Sequence, residues 1–151
     1  MNDSDAPTPN HQTTDQSLGS QERAAAQGHA GAQCNLGVLY DQGQGVPQDY
    51  AKAHEWYEKA AAQGNASAQN NLGVLYYDGH GVPQDYAKAR ELFEKVASQG
   101  DAVGQYNLGE YYELGRGVLR DGAKARQWYE KAAAQGYENA QKALKRLGVK
   151  E

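Results

Sequence analysis

Large apolar side chains are scarce in this chain of 151 residues, which holds one phenylalanine, one methionine and two tryptophans. Alanine supplies much of the 39% hydrophobic fraction, and eleven tyrosines supply most of the aromatic surface. A thin core of Ala, Leu and Tyr suits closely packed helices better than a thick globule. Cys34 is the only cysteine, so no internal disulfide can form and the redox compartment is not readable. No Lys or Arg precedes Arg23, whereas Asp3, Asp5 and Asp15 lie in that stretch and contribute to the formal charge of -4. The remainder is nearly neutral and offers no basic face for phosphates, which excludes nucleic acid as the expected partner. No apolar run approaches the roughly 18 to 20 residues of a membrane span, and the N-terminus has neither the positive start nor the apolar stretch of a secretory signal. With Met1 taken as the true start, these absences predict a cytoplasmic protein without membrane insertion. A missing leader would instead direct it to the periplasm or outside the cell.

Residues 1–20 contain two of the four prolines, and Leu18 is their one large aliphatic side chain beyond Met1. So polar a segment cannot bury enough surface to offset its ordering entropy, and it is expected to be a disordered, inert tail. The repeat domain is expected over residues 21–150.

What the chain does have is a period. Gly28, Gly64, Gly100 and Gly136 are spaced by 36 residues, as are Gln33, Gln69, Gln105 and Gln141, and Leu36, Leu72, Leu108 and Leu144. Tyr40, Tyr76 and Tyr112 keep the register, and so do Asp49, Asp85 and Asp121. Such self-similarity marks a helical repeat array. Full repeats are expected at 29–64, 65–100 and 101–136. A partial repeat ends at 28, and a capping helix spans 137–148, where Lys142 and Arg146 supply polar surface and favourable charge near a helix C-terminus.

Each repeat reads as two helices. Asn65 and Asp101 can cap the first, and Ala32, Leu36, Leu39 and Tyr40 form one apolar stripe along it. The G-x-G-V runs beginning at Gly43, Gly79 and Gly115 can stop the first helix by adopting positive φ. Asp49, Asp85 and Asp121 then cap the second helix, whose inner positions in the first repeat are Tyr50, Ala53, Tyr57 and Ala60. Gly37, Gly73 and Gly109 lie inside first helices at a cost of about 1 kcal/mol each relative to Ala. Their recurrence in register predicts a neighbouring helix too close for a Cβ.

The strings AQCNLGVLYDQGQGVPQDYAKAHEWYEKAAAQG and AQNNLGVLYYDGHGVPQDYAKARELFEKVASQG resemble the Sel-one-like repeat, a relative of the tetratricopeptide repeat. The resemblance covers about four-fifths of the chain. It implies an all-α fold, an α/α superhelix or solenoid of antiparallel helix pairs, and a role as a bacterial adaptor or scaffold in signalling, envelope or host contact. The third repeat departs from the pattern at Leu119, Gly122 and Gly104, which replace proline, tyrosine and alanine, and in the second Leu92 replaces tryptophan.

The sequence offers little chemistry. Secreted relatives credited with β-lactamase activity carry paired cysteines in every repeat, whereas this chain has Cys34 alone, and no serine opens an S-x-x-K motif. His11, His29, His54 and His80 lack metal-ligand spacing. Cys34 occupies the position of Asn70, Tyr106 and Lys142, and so reads as an inert thiol. Glu55 with Lys59, and Glu91 with Lys95, are i, i+4 pairs that support exposed faces. Asn35, Asn71 and Asn107 read as structural hydrogen-bonding groups, the alternative being that they grip a peptide backbone as asparagines can in peptide-clamping relatives. No enzyme activity, cofactor or metal is expected.

Variation on a constant scaffold marks a candidate site. At about 100° per residue, positions 34, 38 and 41 lie opposite the buried stripe. That face carries Cys34, Val38 and Asp41, then Asn70, Val74 and Tyr77, then Tyr106, Glu110 and Glu113. If first helices line the concave side, the groove grades from apolar to acidic and suits a peptide or protein with aromatic anchors and a basic end. Tyr77, Tyr106 and Glu110 are expected to bind the partner, whereas Trp56 and Trp128 are expected to serve packing. The expected protein is a monomeric adaptor; a purely structural, self-assembling repeat is the alternative.

Overall fold

The computed structural model describes residues 9–148, with side chains from Leu18 onward. Eight helices and no strand occur among the described residues: α1 (Pro9–Ala26), α2 (Ala30–Gln42), α3 (Tyr50–Ala62), α4 (Ala66–Asp78), α5 (Tyr86–Ser98), α6 (Ala102–Leu114), α7 (Gly122–Ala134) and α8 (Glu138–Arg146). The described residues divide into two compact bodies, one ending at Ala68 and the other beginning at Gln69. The expected repeat boundaries place α2/α3, α4/α5 and α6/α7 as pairs, with α8 following. Helix α1 begins at Pro9, inside the segment expected to be disordered. Proline is well tolerated in a first helical turn, where its missing N–H would have no partner. Leu18 packs with Ala24 on the cluster of Ala25, Ala32 and Leu36. Residues 1–8 of the expected tail lie outside the described residues.

Local chemistry sets the helix ends. Asp49, Asp85 and Asp121 adopt extended backbone and accept the backbone N–H of Lys52, Lys88 and Lys124 at 3.1, 3.0 and 3.0 Å. Asn65 accepts from Ala68 N and Asp101 from Val103 N, both at 2.8 Å. Helices α2 and α6 stop at Gly43 (φ 68°) and Gly115 (φ 71°), in a left-handed conformation that glycine reaches without a Cβ penalty.

The pairs are antiparallel. Within the first body, Asp49 N donates to Tyr40 O at the turn, while Gln63 at the far end of α3 donates to Gly28 O and Gln33 Oε1. Gln99 with Gln69, and Gln135 with Gln105, repeat the glutamine bond at 2.9 Å. Gln33, Gln69 and Gln105 are buried, so these bonds satisfy amides that would otherwise be costly to desolvate. The recurring glycines stand where the paired helix presses closest. A Cβ at Gly73 would lie 2.7 Å from Phe93 Cε1, one at Gly109 would lie 2.5 Å from Tyr129 Cε1, and one at Gly37 would collide with the Tyr57 ring.

Candidate functional site

The close approach at each glycine determines what happens four residues later, on the same helix face. In the first body the Tyr57 ring crosses Gly37 and its hydroxyl donates to Asp41 Oδ2 at 3.0 Å. In the second body the Tyr129 ring crosses Gly109 and its hydroxyl donates to Glu113 Oε1 at 2.6 Å. Arg146 of α8 also donates to both carboxylate oxygens of Glu113. This guanidinium holds the Glu113 carboxyl below its ordinary range against the opposing effect of burial, with help from the Tyr129 hydroxyl. Asp41 and Glu113, two acids of the expected partner face, are therefore engaged within their own bodies.

The middle repeat differs at both positions. Phe93 replaces tyrosine and brings no hydroxyl, and Tyr77 replaces the acid. The Tyr77 ring packs on Tyr86 and Tyr111, with centroids 5.1 and 5.7 Å away. Beside it lies a cavity of about 150 Å³ lined by Val74, Tyr77, Phe93, Asn107, Glu110 and Tyr111. Three of the expected residues, Val74, Tyr77 and Glu110, thus meet at one place. Val74 is 39% exposed, whereas Tyr77 and Glu110 are half-buried. Asn70 accepts from Asn107 Nδ2 at 2.8 Å, giving one of the recurring asparagines the structural role expected of it.

The other expected residues lie elsewhere. Val38 is half-buried in the first body, where Cys34 is 5% exposed and burial pushes its thiol pKa up. Helices α1 and α3 both pack on α2, so a position opposite one apolar stripe is covered by the second neighbour. Tyr106 packs on Tyr129 and Tyr137 and donates to Glu110 Oε2 at 3.1 Å. Burial first, then the Glu110 charge, push its pKa up to about 12. Trp56 packs on the cluster of Ala25, Ala32 and Leu36, and Lys59 and Lys131 lie over the Trp56 and Trp128 rings.

Phe93 and Tyr111 were not singled out as site residues in the sequence. The available signal was departure from register: Tyr111 stands where Leu39 and Leu75 do, and Phe93 where Tyr57 and Tyr129 do. The Tyr111 hydroxyl is buried with no hydrogen-bond partner among the described residues. No group of three or more His, Cys, Asp or Glu able to hold a metal occurs among those residues. None of the described helices is long and apolar enough to cross a membrane.

The Sel1 repeat matches at residues 30–65, 66–101 and 102–137, one residue later than the boundaries expected from self-comparison. The chain belongs to the Sel1 repeat family. Sel1 repeat proteins are generally protein-interaction scaffolds and typically not enzymes. Among solved structures, a protective antigen of uropathogenic Escherichia coli displaying an SLR fold is 50% identical over 77% of this chain, with a TM-score of 0.75. The present chain spans 25% of that antigen's length. A Sel1 repeat protein from Oxalobacter formigenes is 41% identical over 85% of this chain and 96% of its own, again with a TM-score of 0.75. Helicobacter pylori cysteine rich protein B is 25% identical over 84% of this chain and 96% of its own, with a TM-score of 0.66. The Sel1 fold is therefore an all-α solenoid of helix pairs in this chain also. No curated protein matches the sequence.

Proposed function

We propose that the chain is a monomeric, non-enzymatic adaptor that binds a protein or peptide through the first-helix face carrying Val74, Tyr77 and Glu110. The observation that carries this reading is their convergence on one cavity, on a scaffold whose other positions repeat. An exposed apolar residue, an aromatic ring and a carboxylate around one recess combine the anchor and rim chemistry of interaction hot spots. Asn70, Tyr106 and Glu113, in the same body, support this site, and Val38 and Asp41 are proposed as partner-contacting residues of the first body. Asp41, Asn70, Tyr106 and Glu113 are held by hydrogen bonds within their bodies, which supports reading them as groups that shape the surface before contact.

Sedimentation at several protein concentrations, with and without cell extract, tests the proposal. A mass that rises with extract at fixed protein concentration supports an adaptor. A mass that climbs with the chain's own concentration overturns it in favour of self-assembly.

A further inference from the structure

Beside the cavity at Tyr77, two positions depart together from the other repeats. In the first and third repeats a tyrosine hydroxyl, from Tyr57 or Tyr129, meets an acid, Asp41 or Glu113, across a helix pair. In the middle repeat Phe93 ends short of that contact and Tyr77 lies against Tyr86 and Tyr111 instead. The recess of about 150 Å³ is lined by the apolar Val74 and Phe93, by Tyr77 and Tyr111, and by the polar Asn107 and Glu110. A recess of about this volume accommodates a benzene-sized group.

One group at this recess has charge to spare. Glu110 accepts from the Tyr106 hydroxyl but forms no ion pair among the described residues, whereas the acid next along the helix face, Glu113, is neutralised by Arg146. The Glu110 carboxylate selects against an acidic occupant and favours a cation beside the recess.

We infer that this recess is a peptide subsite for one leucine- to phenylalanine-sized side chain with a lysine or arginine beside it, the cation pairing with Glu110. The inference rests on the interaction reading above and specifies what the interface selects. An apolar side chain gains by leaving water, and the neighbouring cation fixes register and suppresses acidic competitors.

Selection of a random peptide library displayed on phage, with the full chain as bait, tests it. Wild type is expected to enrich peptides that place an apolar residue within a few positions of Lys or Arg. The double variant Tyr77→Glu/Phe93→Tyr rebuilds the acid–tyrosine contact of the other repeats and replaces apolar wall of the recess with a carboxylate and a hydroxyl, which an apolar side chain would have to desolvate. It should bind a selected peptide about tenfold more weakly or worse, with unchanged circular dichroism. Should that variant fail to fold, Val74→Lys alters an exposed residue, offers Glu110 an internal cation and should weaken the same peptide by about tenfold. Enrichment without the apolar–basic pair, or equal binding by the variants, overturns the subsite and leaves the interaction reading standing. No enrichment on wild type also overturns the subsite, and sedimentation then decides the broader reading alone.

Discussion

The Tyr129 ring lies against the backbone at Gly109, so close that a Cβ there would sit 2.5 Å from its Cε1. The same tyrosine then reaches Glu113 with its hydroxyl. A missing side chain on α6 thus brings two helices together and delivers a polar group to the surface one turn away. Gly37 with Tyr57 and Asp41 repeats the arrangement in the first body.

Gly109→Ala is expected to destabilise the protein although alanine is the better helix former. Overpacking costs about 1–3 kcal/mol, more than the roughly 0.5–1 kcal/mol that alanine gains over glycine in a helix. Gly122→Ala, at the first position of α7 with nothing within 4 Å of the added Cβ, should stabilise by about 0.4–1 kcal/mol by restricting the unfolded chain. Urea denaturation of both variants measures the contrast, and a stabilised Gly109→Ala would contradict the close approach.

Leu72→Ala should cost about 2–5 kcal/mol, because Leu72 is 5% exposed in the core. Asn70→Ala, two positions away, loses the bond from Asn107 and should cost about 0.5–1.5 kcal/mol. Equal denaturation midpoints would mean that the buried face of α4 is wrongly assigned.

The contact between Glu113 and Arg146 is expected to hold α8 in a pH-dependent way. The Glu113 carboxyl is more acidic in the folded chain than when unfolded, chiefly through the Arg146 guanidinium. Its contribution is therefore complete above the unfolded carboxylate value of about 4.3 and is lost as pH falls through the lower folded value. Amide hydrogen exchange, corrected for intrinsic rates, should show constant α8 protection between about pH 7 and 5 and loss in stronger acid. Glu113→Gln should loosen α8 near neutrality and remove that part of the acid response. Identical pH profiles for wild type and variant would refute the role assigned to this ion pair.

Much of the fold was legible in the sequence because its causes are local. The 36-residue period, the caps at Asp49, Asp85 and Asp121, and the stop at Gly43 depend on residues a few positions apart. Even the crowding at Gly37, Gly73 and Gly109 could be inferred, because a helix-weakening residue recurred in register.

Tertiary structure decided which members of the expected face have free surface. Reasoning from one apolar stripe assumes one neighbour, yet α2 is packed by both α1 and α3, and α6 by both α5 and α7. Cys34 is buried for that reason, and Asp41 and Glu113 are engaged by Tyr57 and Tyr129, 16 residues away along the chain. The sequence by itself determined the repeat, the helix ends and the residues available to each face. Only the packing of helices on both flanks decided that Asp41 and Glu113 would take a tyrosine hydroxyl while Phe93, lacking one, would line a recess beside Tyr77.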